Sequence, residues 1–194
     1  MFHDWSFDTK FFAALAAIDT AYAERVREAG CVHCEGVLDR ADYPRKARGE
    51  LGEAATSYQK RLSYCCRSEG CRKRATPPSL RFLGRKVYVA AVVVVASAAG
   101  RAVQMVGSGS PRRVHGVPVR TVRRWHEWWQ DVFAQGVFWA EARAFFATPV
   151  EAAQLPVSLL ARFGEAGANT VGRLLRFISP ITTGSVRTRI AMAV

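Results

Sequence analysis

Acidic residues are missing from a long part of this chain. Residues 70–126 contain 12 Arg and Lys but no Asp or Glu. Since the whole chain has 28 basic and 16 acidic residues, the remainder carries 16 of each and is neutral. A basic surface that served only solubility would alternate with acidic residues. The absence therefore favours a polyanionic partner, because each phosphate that such a segment neutralises releases counterions.

Long hydrophobic runs are also missing. The most apolar stretch, residues 87–99, is only 13 residues long, which is too short to cross a bilayer. The N-terminus shows no signal-peptide pattern, because Asp4 and Asp8 interrupt it and the apolar run after Thr9 has no basic leader. We therefore expect a cytoplasmic protein that has no membrane partner.

No cysteine lies outside residues 31–71, where all five cysteines of the chain are found. Cys31 and Cys34 form a C-x2-C hook, and Cys66 and Cys71 form a C-x4-C hook. Paired hooks are typical of a zinc ribbon, in which four thiolates hold one Zn²⁺ tetrahedrally. An odd number of cysteines in a chain without a secretory signal argues against disulfides. We expect these four residues to be the metal ligands and Zn²⁺ to be the cofactor.

The fifth cysteine, Cys65, is the expected spare residue, because neighbouring residues on a strand point to opposite faces. Two other ligand sets are left open by the sequence. In one, Cys65 pairs with Cys71, and in the other His33 is a ligand. Disulfides and inert buried cysteines are the alternatives to a metal.

Helical periodicity predominates outside the hooks. Residues 8–29 repeat apolar positions at spacings of three and four, with Asp8 as the expected N-cap and Gly30 as the expected end. The predicted inner stripe consists of Phe11, Leu15, Ile18, Tyr22 and Val26. The valine run within residues 82–106 is predicted to be a buried helix. Other helices are predicted at 136–147, 155–163 and 168–178, and short strands at 62–64 and 72–76.

The basic segment holds the candidate nucleic-acid contacts. Arg72, Lys73 and Arg74 follow the last cysteine directly. After a turn at residues 116–118, helical spacing from Val119 places apolar and aromatic residues on one face and most of the charge on another. The candidate contacts on this helix are Arg120, Thr121, Arg123 and Arg124. Such a helix suits the recognition helix of a helix-turn-helix, although an ordinary amphipathic helix with a solvated basic side shows the same pattern.

The order of these features resembles a known group of proteins. The cysteine hooks, Arg-Lys-Arg-Ala-Thr-Pro-Pro and Gly-Val-Pro-Val-Arg-Thr-Val-Arg-Arg-Trp resemble the N-terminal region of bacterial insertion-sequence transposases. The resemblance covers roughly residues 31–130, and it extends to small bacterial proteins linked to mobile elements. It implies recognition of terminal DNA by a zinc ribbon and a helix-turn-helix. It does not imply catalysis, because the DDE catalytic domain that follows in those enzymes is missing here.

Catalytic motifs are scarce as well. A two-metal DDE site needs three carboxylates on a sheet-based domain, whereas residues 128–194 contain only the acids Asp131, Glu141, Glu151 and Glu165, on predicted helices or their edges. The four histidines have no nucleophile at a motif spacing, and no Gly-rich phosphate loop is present. The sequence therefore predicts a protein that is not an enzyme and has no small-molecule substrate.

Together these patterns predict a mainly α protein with a small β zinc ribbon and a helix-turn-helix-like helical bundle. The expected organisation is an N-terminal helix at 1–30, a zinc ribbon at 31–78, a basic helix-turn-helix-like region at 79–135 and a C-terminal helical region at 136–194. The expected function is zinc-dependent DNA binding, as a transposon accessory factor or a transcriptional regulator. Double-stranded DNA is the preferred partner, and RNA stays open. The rival is a scaffold subunit that binds another protein, or a second copy, through its aromatic C-terminal helices.

Overall fold

The structure, a computed structural model, describes residues 7–49, 51–84, 86–104 and 112–183. These residues are mainly helical, with three small antiparallel sheets, as predicted. The chain divides into two compact units. Among the described residues, the first unit comprises 7–90 and 175–183, and the second comprises 91–174. Within the described ranges, every helix is too short or too polar to cross a membrane.

The first unit begins with helix α1 (Thr9–Ala29). The side chain of Asp8 caps it by accepting a hydrogen bond from the backbone N–H of Phe11, and Gly30 ends it with a φ of 74°. The buried stripe lies one position away from the predicted one over much of the helix. Its fully buried members are Phe12, Leu15, Asp19 and Ala23, while Phe11, Ile18, Tyr22 and Val26 are only half-buried.

The charged member of that stripe, Asp19, is buried among polar partners. Its carboxylate accepts from Arg81 Nε, from the hydroxyl of Ser79 and from the backbone N–H of Leu80. Arg81 also lies over the rings of Tyr58 and Phe82. A buried charge needs such partners, and these lie about sixty positions away in the chain.

Five short strands follow α1 in the first unit. They are β1 (Leu38–Arg40), β2 (Tyr43–Pro44), β3 (Lys60–Arg61), β4 (Tyr64–Cys66) and β5 (Arg74–Ala75). β4 is the central strand of a three-stranded sheet and pairs with β1 and β5, whereas β2 pairs with β3. A 3₁₀ helix, Gly52–Tyr58, precedes β3. The second cysteine hook begins on β4 at Cys66, and the first hook precedes β1 in the chain.

Helix α2 (Ala90–Gln104) contains the valine run and is buried along its described side chains, which confirms the predicted buried helix. In the second unit, a hairpin of β6 (Arg113–Val114) and β7 (Val117–Pro118) leads into α3 (Val119–Glu127). A π-helical turn (Trp128–Phe133), α4 (Val137–Ala142) and α5 (Val157–Leu160) follow. The last helix, α6 (Ala168–Ile178), begins in this unit, and its residues 175–178 belong to the first. The core of the second unit is made of Trp129, Phe133, Trp139, Leu155 and Leu159.

The segment directly before α3 differs from the predicted turn at residues 116–118, because Val117 and Pro118 form a strand. It is a β-hairpin, whose turn consists of His115 and Gly116 with φ of 46° and 71°. Two successive residues of positive φ form the type I′ turn that favours a hairpin, and this turn chemistry selects the local structure. Residues 105–111, where the first half of the predicted helix-turn-helix would meet the turn, lie outside the described residues.

Candidate metal centre and basic surface

Four cysteine side chains converge in the first unit. The sulfur atoms of Cys31, Cys34, Cys66 and Cys71 all lie within 4.8 Å of one another. Two of the separations are 3.4 Å (Cys34 to Cys66) and 3.7 Å (Cys31 to Cys71). Sulfur atoms bound to one tetrahedral Zn²⁺ at ~2.3 Å lie about 3.8 Å apart. The cluster therefore matches the size of an S4 metal site, and these distances far exceed the ~2.05 Å of a disulfide bond.

The first hook is shaped by its backbone. The N–H of Cys31 donates to the carbonyl of Gly36, and the N–H of Glu35 donates back to the carbonyl of Cys31. A Cβ atom added to Gly36 would lie 3.3 Å from the sulfur atoms of both Cys34 and Cys66 and would collide with the hydroxyl of Ser68. The two hooks can approach each other because this position has no side chain.

The second hook starts on β4 at Cys66 and closes at Cys71. The N–H groups of Cys71 and Arg72 both donate to the carbonyl of Ser68. Arg72 has a φ of 47°, which turns the chain back into β5. A hydrogen bond from the N–H of Arg67 to the carbonyl of Val37 joins this second hook to the residue before β1, in the segment that follows the first hook. Gly70, which also adjoins a ligand, has open space where a Cβ would lie.

The alternative ligands lie outside this cluster. Cys65 pairs with Arg74 in the sheet, and its thiol is directed to backbone carbonyls of Cys66 and Arg72. His33 is exposed and is not part of the group of converging ligand atoms. The structure thus brings together the four cysteines that were assigned from the sequence.

The thiols perturb one another strongly. The pKa of Cys34 is lowered, chiefly by a hydrogen bond from the backbone of Gly36 and then by the thiols of Cys66 and Cys71. At Cys71 a backbone hydrogen bond from Lys73 acts to lower the pKa, but burial and the three neighbouring thiols outweigh it and raise the pKa to about 12. Four thiolates this close repel one another, and a divalent cation is what allows all four to be deprotonated.

The cluster is also part of the hydrophobic core of the first unit. Cys31 and Cys66 are buried together with Ala23 of α1 and with Leu38, Tyr64 and Ala75 of the sheet. Four protein ligands fill a tetrahedral site completely, which is the pattern of a structural metal and not of a catalytic one. Among the described residues, no second group of His, Cys, Asp or Glu side chains converges in this way.

Three basic residues follow the second hook, and the structure distinguishes among them. Arg72, Lys73 and Arg74 are all exposed. However, Arg74 donates to the carbonyl of Ala41 and to the hydroxyl of Ser63, and its guanidinium lies over the ring of Tyr43. Arg74 therefore braces the sheet, while Arg72 and Lys73 extend from the hook.

The α3 helix separates its two faces as predicted. Arg120, Arg123 and Arg124 are exposed, and Thr121 is half-buried. The opposite face is buried and consists of Val122, Trp125 and His126, with Trp129 and Phe133 continuing it. Gly100 of α2 packs against Val122 at a distance that leaves no room for a Cβ atom. The tryptophans therefore fix the helix to its unit and leave the arginines directed outward.

The sequence pattern did not reveal two features of the basic segment, residues 70–126. Some of its cations are buried, and a hairpin presents two others. Arg81 is not available to a partner, because it is buried against Asp19, and Lys86 is half-buried with a pKa lowered by burial to about 8. In contrast, Arg112 and Arg113 are exposed beside α3. Val114 and Val117 flank a two-residue His-Gly turn, and this is the signal that could have predicted the hairpin.

Comparison of the chain with models of protein families, with curated proteins and with solved structures finds no match. The site must therefore be interpreted from its own geometry.

Proposed function

We propose that this protein binds one Zn²⁺ in a ribbon-like S4 site and uses its exposed arginines to bind nucleic acid. The metal would be held by Cys31, Cys34, Cys66 and Cys71, whose spacing and closed geometry suit Zn²⁺. Its role is structural, since the hooks carry core residues and the metal's binding energy becomes folding energy.

The single observation that carries nucleic-acid binding is the outward basic face in the second unit. Arg112, Arg113, Arg120, Arg123 and Arg124 are all exposed, and none of them forms a salt bridge within the described part of the chain. The only acid in this stretch is Glu127, at the end of α3. Exposed arginines that are carried by ordered elements and form no internal salt bridge suit phosphate contacts and base contacts.

The biological setting is a further part of the proposal. The resemblance of residues 31–130 to transposase N-terminal regions favours an accessory factor of a mobile element, and a transcriptional regulator uses the same chemistry. In an accessory factor of this kind, another protein would perform strand cleavage.

The proposed function is tested by anisotropy titrations of zinc-loaded protein with duplex DNA, single-stranded DNA and RNA at low and high salt. Affinity should fall steeply with salt, with a slope of about −0.9 per phosphate neutralised on a duplex. The double variant Arg120→Glu/Arg124→Glu should lose most of this binding. If the variant bound duplex as tightly as the wild type at low salt, the role of α3 would be wrong.

A second candidate function is supported by exposed apolar side chains after α3. Val132, Val137 and Phe145 are 58%, 75% and 63% exposed. In a scaffold subunit these residues would form the contact with another protein or with a second copy. Sedimentation analysis tests for self-association, which Phe145→Ser should abolish. This function becomes the better one if no nucleic acid binds.

A further inference from the structure

The β6–β7 hairpin is a rigid basic element. Arg113 pairs with Pro118 and Val114 pairs with Val117 across the type I′ turn. Val114 and Val117 are buried and anchor the hairpin to the second unit, whereas Arg112 and Arg113 are exposed. The guanidinium of Arg113 donates to the carbonyl of Gly116 and braces the turn. The hairpin therefore presents its arginines from an ordered backbone.

This hairpin is directly joined to α3. β7 runs into the helix without a loop, and the backbone N–H of Val119 donates to the carbonyl of Arg112 at 3.2 Å. Strand β6 thus lies against the first residue of the helix, and α3 contacts both strands. Backbone geometry therefore places Arg112 and Arg113 beside the first turn of α3, which carries Arg120. Together with the exposed Arg123 and Arg124 of the same helix, we call these residues the hairpin–helix surface.

We propose that this hairpin–helix surface takes double-helical DNA, with α3 in the major groove and with Arg112 and Arg113 on the phosphates beside that groove. This inference rests on the proposed function, and it adds the groove that α3 enters and the role of the hairpin residues as phosphate contacts. Within the second unit, the sequence pattern assigned contacts to α3 alone.

The arrangement of aromatic side chains favours a duplex. Binding of single strands relies on aromatic rings that stack on unpaired bases. In this region Trp125 and Trp129 are 5% and 0% exposed, so they cannot serve as stacking platforms. Trp128 is half-buried, and its ring packs against those of Trp129 and Phe133. Phe145 is exposed, but it belongs to a 3₁₀ turn (Arg143–Phe145) that follows α4.

The dimensions of α3 also favour B-form DNA. An α-helix with its side chains is about 10–12 Å across. The major groove of B-DNA is about 12 Å wide and admits an α-helix. The major groove of A-form RNA is too deep and narrow for this mode, and phosphate contacts from a neighbouring element would fix the register of the helix in the groove.

The test measures duplex binding by the double variant Arg112→Ala/Arg113→Ala at several salt concentrations. Arg143→Ala/Arg162→Ala is the matched control, because it removes two exposed arginines from the same unit. We expect the hairpin variant to reduce the magnitude of the salt slope by about 1.8, that is ~0.9 for each lost phosphate contact. The control should keep the wild-type slope.

Because the side chain of Arg113 braces the turn, Arg112→Ala alone is the second variant. In this variant the backbone carbonyl of residue 112 still accepts a hydrogen bond from the N–H of Val119. The variant should reduce the magnitude of the salt slope of duplex binding by about 0.9. If the wild type bound DNA and the hairpin variants kept its salt slope, the role of the hairpin would be wrong. The proposed function would remain intact.

The form of the nucleic acid is tested with matched ligands. The wild type should bind duplex DNA more tightly than a single strand or duplex RNA of the same length. Equal or tighter binding of either competitor would overturn the duplex assignment, and Phe145→Ala would then show whether that ring is a stacking platform. Failure of all three ligands to bind would instead overturn the proposed function itself.

Discussion

Asp19 and Arg81 form an ion pair of 2.7 Å between Oδ2 and Nε, and their side chains are 0% and 4% exposed. The pair links the middle of α1 to the segment after the second hook. Removal of one partner leaves the other charged and buried, which costs about 3–5 kcal/mol. We therefore expect Asp19→Ala to reduce the free energy of unfolding in urea by an amount in this range.

Two companion variants make that test specific. Asp131→Ala removes an exposed aspartate of the second unit and should change stability by less than about 0.5 kcal/mol. The double variant Asp19→Leu/Arg81→Met removes both charges and should be less destabilised than Asp19→Ala. If Asp19→Ala reduced the free energy of unfolding no more than Asp131→Ala does, the ion pair would not be a structural support.

Metal content is the most direct prediction. Purified protein should contain about one equivalent of zinc, and chelation should expose the amide groups of residues 31–76 to hydrogen exchange. Protection should also fall in the last turns of α1, because Ala23 and Val26 pack on the cluster. Amides of the second unit should keep their protection.

Two cysteine variants test which thiols bind the metal. Cys34→Ser removes a sulfur atom from the cluster, whereas Cys65→Ser changes a thiol that lies outside it. The first should lose zinc and stability, and the second should keep both. The reverse result would mean that the ligand set is wrong.

Gly36 offers a sharper test of the geometry. Gly36→Ala places a methyl group against two sulfur atoms and the hydroxyl of Ser68. It should weaken zinc binding, as measured by competition with a chromogenic chelator. Gly70→Ala is the control, since nothing lies within 4 Å of the added Cβ. Ser68→Gly in the Gly36→Ala background should restore part of the affinity, because it removes one of the colliding groups.

The basic residues after the second hook should differ in their effects. Lys73→Ala should reduce the magnitude of the salt slope of duplex binding by about 0.9 and leave the melting temperature unchanged. Arg74→Ala should lower the melting temperature, because it removes hydrogen bonds to Ala41 and Ser63. Equal stability of the two variants would contradict the bracing role of Arg74.

Catalysis is not expected of this chain. Asp131, Glu141, Glu151 and Glu165 are exposed, and they do not converge with one another in the described residues. The purified protein should not nick supercoiled DNA in the presence of Mg²⁺. Nicking that disappeared on substitution of one of these acids would contradict this prediction.

Much of the local structure follows from the sequence. Asp8 and Gly30 mark the ends of α1 because capping depends on residues within one turn of the helix terminus. The spacing of Val122, Trp125 and Trp129 determines which face of α3 is buried. The hooks were also recognisable, since thiol ligands must be placed in tight turns at short spacing.

Long-range relationships were decided only by the tertiary structure. Nothing local to Asp19 predicts its burial, because the residues that satisfy it lie about sixty positions later. For the same reason, the sequence pattern counted Arg81 among the basic residues that favour a polyanionic partner. Gly36 lies two residues after Cys34 and Gly70 lies directly before Cys71, but only the fold shows that the hooks approach each other over Gly36. Periodicity and spacing report the contacts that a residue makes within its own element, whereas charge pairing and close packing depend on which distant segments the fold brings together.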